Sequence, residues 1–392
     1  MPKVEVRLSG TNLERAADHN LRITLHAIRV HQAITRVALA RITGLTAPAV
    51  ANITRRLLDE GLIVEAGRLR NGRGQPGKVL KINPSARFSF GVNIDRDHVS
   101  LILVNFAGEI LARRHCDAAF ALPADVRGFW LEHAANMMAE AGADAQALTG
   151  IGAALPDDLG SIYLPGAPAG YSAWLETDVP ALFAAPFEVP VFIENDAAAA
   201  AMGEQQLGTG SRFSSMLYIL MSSGLGGGLV IDGRYVRGAT GRSGEIGLIP
   251  LPDGGLVQDH VSLSGLARHL EVEGFSLADL ETAGPGSACD KAFGVWLDGA
   301  VERLVPPLVA ANCLINPAAV LIGSRLASRF VDRLAHALER ALASLAQPLP
   351  SCAPVMRAQL SADAPAIGAA ILPFSHFLLP QADTLWKAEE AG

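Results

Sequence analysis

The stretch that decides the fold is VPVFIENDAAAAAMGEQ, residues 189–205, with SSMLYILMSSGLGGGLVIDGRYVRG at 214–238 and the sequel ATGRSGEIGLI at 239–249. The first segment reads as a strand that runs into an alanine-rich helix beginning near Asp196. The second reads as strand, glycine loop, strand. Asn195 and Asp196 stand at the junction of strand and helix, where an amide and a carboxylate can project into a cleft and grip sugar hydroxyls. An aspartate so placed suits a general base toward a hydroxyl, but the same residue could simply cap the helix that follows. Gly224–Gly228 permits close approach of backbone to a ligand or phosphate, and a tight hairpin would use the same glycines. Gly244-Glu245-Ile246-Gly247 sets a second carboxylate among glycines.

Outward from this stretch the pattern continues in kind. From Phe88 two strands are expected, joined by a turn at Ala107–Gly108, and helical spacing recurs around 126–142, 264–273, 291–311 and 326–346. Alternating strands and helices indicate α/β layering in two lobes.

The N-terminal part differs. Residues 12–31 read as a helix, followed by a short helix from Arg36 to Thr43 with Thr35 as its cap. Gly44 and Leu45 turn the chain, Thr46 caps a third helix that runs to Glu60, and Gly61 stops it, which makes a helix-turn-helix. Val50, Ile53 and Leu57 share one face of the third helix and should pack inward. Pro48, Ala51, Asn52, Arg55, Arg56 and Asp59 lie opposite, offering an amide for adenine and guanidiniums for guanine or phosphate. The expected base readers are the residues at the helix N-terminus (Thr46, Ala47, Pro48) and Asn52, with Arg55 and Arg56 adding base or phosphate contacts. Strands at 62–66 and 79–82 flank a Gly- and Arg-rich tip, the wing of a winged helix, where Arg68, Arg70, Arg73 and Lys78 could reach phosphates. A helical protein-interaction module with solvated arginines is the alternative.

Charge favours DNA. The chain carries a formal net charge of −7, but residues 1–83 hold 14 basic against six acidic residues, a net of +8, and the remainder a net of −15. With half the residues hydrophobic and 18% charged, global disorder is excluded. The four cysteines are scattered and form neither a disulfide framework nor a zinc knuckle, which suits a reducing cytosol. No signal-peptide pattern or span of about 20 apolar residues is read, so a cytoplasmic protein without a membrane partner is expected.

Taken together, IENDAAAAAMGE and SSGLGGGLVIDGRYVRGATGRSGEIGLI resemble the signature of the ROK family (repressors, open reading frames and sugar kinases). LINPAAVLIGSRL at 314–326, SADAPAIGAA at 361–370 and the wing segment Gly72-Arg73-Gly74-Gln75-Pro76-Gly77 resemble it too, so the likeness spans about 12 to 372. The resemblance implies a two-lobed actin-like fold of the sugar kinase/Hsp70-like ATPase type behind an N-terminal winged helix-turn-helix. It implies a DNA-binding head at 1–85, with Arg73 and Gln75 in its wing, and a sugar-kinase-like effector and oligomerisation body at 86–392. It implies sugar contacts at Asn195, Asp196 and Glu245, with Asp196 at the kinase branch's base position, and Gln258 where the family has a sugar-binding glutamate.

The departures narrow the reading. Where the kinases carry Asp-x-Gly-Gly-Thr, this chain has Asn93-Ile94-Asp95-Arg96-Asp97-His98, whose carboxylates would repel a triphosphate. The nucleotide-side Gly-Gly is Gly323-Ser324, and Leu248 stands in place of the family's zinc-binding histidine with no cysteine loop after it. His260 and His269 make no recognisable metal site. The Asn-Leu-x-Trp sugar segment is Tyr171-Ser172-Ala173-Trp174. The expectation is therefore a transcriptional regulator, a repressor more often than an activator, without ATP, zinc or catalysis. It would bind double-stranded operator DNA as a homodimer or homotetramer and respond to a small sugar effector. An ATP-dependent sugar kinase with an added head, and a ligand-independent repressor, are the alternatives.

Overall fold

The computed structural model describes residues 13–69, 77–157, 159–161, 167–347, 349 and 351–380. The head begins with α1 (Leu13–His31), β1 (Ile34–Thr35), α2 (Arg36–Thr43) and α3 (Ala47–Asp59), and ends with β2 (Ile63–Leu69) and β3 (Gly77–Ile82). Thr35 and Thr46 cap α2 and α3, their hydroxyls accepting from the backbone N–H groups of Ala38 at 3.3 Å and Ala49 at 3.4 Å. Gly44 takes the left-handed conformation that ends α2, with φ 70°. The three strands form a sheet in the order β1-β3-β2, so the head is a winged helix-turn-helix. The expected wing residues Arg70, Arg73 and Gln75 lie outside the described residues.

The body repeats one topology twice. Strands β4 (Phe88–Ile94), β5 (His98–Asn105), β6 (Ile110–Asp117), β7 (Leu148–Leu155) and β8 (Val191–Asn195) form a sheet in the order β6-β5-β4-β7-β8. Strands β9 (Met216–Met221), β10 (Leu225–Ile231), β11 (Arg234–Tyr235), β12 (Ala319–Ser324) and β13 (Val355–Arg357) form the other, ordered β11-β10-β9-β12-β13. Each is a three-stranded antiparallel meander extended by two parallel strands. This duplication gives the two-lobed actin-like α/β body that the resemblance implies. Helices α4 (Pro123–Glu140), α5 (Asp196–Leu207), α6 (Ala288–Leu314), α7 (Ser328–Ala343) and α8 (Ala364–Phe377) cover the sheets. The second lobe's core includes Leu304, Leu308, Phe330 and Leu334 from α6 and α7.

The helix after the fifth strand of each lobe packs on the sheet of the other. Helix α5 leaves β8 and lies on β9 and β10, whereas α8 leaves β13 and lies on β4 and β7. The two helices also pack on each other with almost no side chain between them. A Cβ added at Gly368 would sit 1.7 Å from the Ala199 carbonyl oxygen, and one at Gly152 of β7 would sit 1.8 Å from the Ala369 oxygen. On the other side, Cβ atoms at Gly226 and Gly228 would press within 2.7 and 2.4 Å of Ala197 and Ala201. This corrects the expected glycine loop in favour of the tight hairpin that the same glycines also allowed. Only Ser222–Gly224 turns; Gly226–Gly228 lie inside strand β10, Gly226 and Gly228 against alanine-faced α5 and Gly227 against the backbone of Gly244.

The head is seated on this body. Leu25 and Ile28 of α1 share an apolar cluster with Val104 and Phe106 of β5 and with Ile367 and Phe374 of α8. Arg22 donates to the carbonyl oxygens of His376 at 2.8 Å and Leu379 at 3.3 Å, and Arg29 to Gln206 Oε1 at 2.7 Å.

Gly368→Ala is expected to destabilise the protein by roughly 1–3 kcal/mol or more through overpacking at the α5–α8 contact. Gly128→Ala, at an exposed site in α4 with open space around it, should instead stabilise by about 0.5–1 kcal/mol. Urea midpoints of the two variants against the parent check the contrast.

Candidate functional site

The two lobes meet at a cleft whose walls include Asn195, Asp196, Glu245 and Gln258, all four of the residues expected to contact sugar. Each arrives from a different piece of the fold. Asn195 ends β8 and caps α5, its side-chain oxygen accepting from the N–H groups of Ala197 at 2.9 Å and Ala198 at 3.1 Å. The capping role considered for Asp196 is thus held mainly by its neighbour. Asp196 is the first residue of α5, buried, and accepts from the Ala197 N–H at 2.7 Å. Glu245 follows the left-handed Gly244, and Gln258 sits on the short helix Val257–His260. Ser262, used to place Gln258, caps the next helix by accepting from the Gly265 N–H at 3.0 Å.

Four charged residues that sequence reasoning did not assign to the site also line it: Asp95, Arg96, Asp157 and Arg242. Arg242 bridges two carboxylates, with Nε 2.9 Å from Asp157 Oδ2 and 3.4 Å from Glu245 Oε1. Its signal lay within the quoted motif, two residues before Gly244, but a lone arginine in a glycine-rich turn reads as solvated. The cleft holds about 70 Å³ of free space. It adjoins a wider cavity of about 560 Å³ that shares Pro156, Asp157, Asn195 and Arg242, so Arg242 stands at their boundary. Trp174 lines the wider cavity but is mostly built into the first lobe's core, its Nε1 donating to the Ala121 oxygen at 2.9 Å.

The electrostatics are unusual for carboxylates. Burial, with the like charge of Asp95 added, pushes Asp196 up to about 7. Asp95 is itself pushed up, first by burial and then by Asp97. Asp97 goes the other way: burial opposes its ionisation, but the hydrogen bond with His98 and the charge of Arg325 hold it below the usual carboxylate range. Arg325 follows β12 in the second lobe, so its ion pair with Asp97 crosses between lobes. Asp95, Asp97 and His98 are a group among the described residues whose ligand atoms converge as a metal site would need, all within 4.8 Å of one another. Asp97, however, is already committed to Arg325 and His98, and His98 Nε2 lies 3.1 Å from the Asn93 side chain. His269 is structural, its Nε2 3.0 Å from the Ala292 oxygen.

On the head, Thr46, Ala47, Pro48, Asn52, Arg55 and Arg56 are all exposed on and before α3, while Val50 and Leu57 are fully buried and Ile53 partly. Thr54 is buried as well, accepting from Arg36 Nε at 2.8 Å, a contact that the apolar pattern did not reveal. Arg56 is partly committed to Glu60 at 2.7 Å, and Lys78 to Glu65 at 2.6 Å. Among the described residues Arg55 makes no such pair, which leaves it the better-placed cation of α3 for an external anion.

Among known proteins, a model of the ROK family matches residues 89–265. The xylose repressor of Bacillus spizizenii is 24% identical over 92% of this chain and 96% of its own length. A crystal structure of a ROK family transcriptional regulator, described as a homolog of the Escherichia coli Mlc protein, aligns with a TM-score of 0.70 at 21% identity. That alignment covers 93% of this chain and 97% of the other. A ROK family glucokinase from Streptomyces griseus, in complex with glucose and AMPPNP, aligns with a TM-score of 0.55 at 22% identity, over 73% of this chain and 98% of its own. Repressors and kinases are thus both similar to this chain. No single helix among the described residues is long and apolar enough to cross a membrane.

The raised Asp196 makes a pH test possible. An acid bound more tightly by its proton in the folded state contributes its full stability below the unfolded pKa of about 3.9. That contribution is lost as pH rises towards about 7. Asp196→Asn should therefore melt higher than the parent at pH 8, with the gap closing by pH 4.5. A difference in melting temperature that does not vary with pH contradicts a buried, proton-holding Asp196.

Proposed function

The chain carries a ROK family domain at residues 89–265, and from that premise we propose that it is a transcriptional repressor whose operator affinity is set by a sugar bound between the lobes. The observation that carries this reading is the convergence of Asn195, Asp196, Glu245 and Gln258 on one interlobe cleft, in a body packed against a winged helix-turn-helix. Carboxylates and amides at such a cleft offer the acceptors and donors that vicinal hydroxyls need. A ligand held by both lobes has different affinities for open and closed forms, and that difference is what an effector requires. Arg242 would have to release Glu245 or Asp157 for a sugar to reach the carboxylates.

The division into a DNA-reading head at 1–85 and an effector body at 86–392 is part of the proposal. So is the cytoplasmic setting in which it would work. In the head, α3 would enter the major groove, with Asn52 and the residues at 46–48 reading base edges and Arg55 beside them. Two copies would read a pseudo-palindromic site, as helix-turn-helix dimers do. Regulation is preferred over catalysis because the segment where kinases cradle phosphates is here Asp95-Arg96-Asp97-His98, with Arg325 already paired to Asp97. Phosphoryl transfer needs cationic or backbone cradling of phosphates rather than carboxylates.

The test is a thermal-shift screen of pentoses, hexoses and their derivatives, each hit then added to a binding assay on the DNA upstream of the chain's own gene. At least one sugar should raise the melting temperature and change operator affinity, and Asp196→Ala should abolish both effects. Arg55→Ala should cost about 1–3 kcal/mol of operator binding, which in the parent should weaken linearly in log–log with salt. Sugar-dependent ATP turnover, or sugar binding that leaves DNA affinity unchanged, overturns the proposal.

A further inference from the structure

A third cavity, about 760 Å³, lies between the head and the body, apart from the interlobe cleft and the wider cavity beside it. Its walls come from α1 and β3 of the head, and from the C-terminal ends of α5 and α8 and the β10–β11 hairpin of the body. The volume falls within the ~300–1,000 Å³ range of small-molecule pockets.

Arg29 of α1 stands in the wall of this cavity and is 7% exposed. Its Nη1 donates to Gln206 Oε1, but Nε and Nη2 are buried with no acceptor, and no carboxylate among the described residues pairs with it. These two donors share the guanidinium edge that forks onto two oxygens of one anion. Burial lowers Arg29 only to about 10, so it keeps its charge at neutral pH. A buried cation with two unmade hydrogen bonds is costly unless something supplies the oxygens. Lys81 and Arg234, both exposed, line the same cavity. His26 is held down to about 4 by burial and by Arg29 and is neutral there. Two acids face the space, Glu109 and Asp232. Glu109 is occupied, accepting from Asn105 Nδ2 at 2.7 Å, and Asp232 is exposed on the hairpin.

We propose that this junction cavity binds a phosphate-bearing small molecule, with Arg29 turning its occluded Nε/Nη2 edge out of the wall to take two phosphate oxygens and Lys81 and Arg234 completing the seat from the rim. Because its walls belong to both head and body, an occupant would bridge them and bias how the head is held, by a route separate from the sugar cleft.

The test is calorimetry on the full chain with inorganic phosphate and with a hexose 6-phosphate, at ionic strength matched by chloride. Both should bind saturably, and Arg29→Gln should weaken them by about tenfold or more. Asp196→Asn should leave phosphate binding unchanged, which separates this site from the sugar site whether or not the latter holds. Should Arg29→Gln fail to fold, the exposed pair Lys81→Gln and Arg234→Gln carries the test, with a combined loss of roughly threefold or more expected. Absence of saturable phosphate binding overturns the proposal. So does equal binding by the variants, or binding lost in Asp196→Asn but kept in Arg29→Gln.

Discussion

The backbone-to-backbone contact of α5 with α8 is the constraint on which the rest of the structure depends. It is possible only because Gly203 and Gly368 leave no Cβ between the helices and because the α5 face toward β10 is alanine. Overpacking by one methyl in such a place costs on the order of 1–3 kcal/mol, a large share of a domain's net stability. The same contact ties each lobe's last helix to the sheet of the other, so the lobes are joined by packed helices rather than by a linker. What α5 does at its two ends follows from that rigidity. Its first residue, Asp196, is in the cleft, and its last turn carries Gln206, the acceptor for Arg29 of the head.

The cleft is an electrostatic compromise. Four carboxylates would not sit together unscreened in a partly dry space, and Arg96, Arg242 and a proton on Asp196 reduce the repulsion. A neutral polyol suits such a site better than a triphosphate, since its hydroxyls both donate to carboxylates and accept from guanidiniums. The Asp97–Arg325 pair joins the lobes directly.

Much of this was legible in the sequence for stated physical reasons. Thr35, Thr46, Gly44 and Gly61 punctuate the head's helices, and hydrophobic spacing placed α1 to α3 within a residue or two. Asn195, Asp196, Glu245 and Gln258 could be brought to one cleft because the motif resemblance supplied a tertiary frame that spacing alone lacks. The glycines of β10 were misread because a glycine needed for space against a neighbouring helix looks, in one dimension, like a glycine needed for a turn. Arg242, Asp157 and Arg29 were missed for a related reason. A single charged residue carries no pattern, and its meaning comes only from what the fold places beside it.

The central claim is that one molecule couples a sugar cleft to a DNA-reading head. Coupling of this kind is reciprocal: the factor by which a sugar changes operator affinity must equal the factor by which operator changes sugar affinity. The direct measurement is a calorimetric titration of the effector sugar into the free protein and into the protein–operator complex. The account predicts two different affinities whose ratio matches the sugar's effect on operator binding. Identical sugar affinity with and without DNA would contradict it.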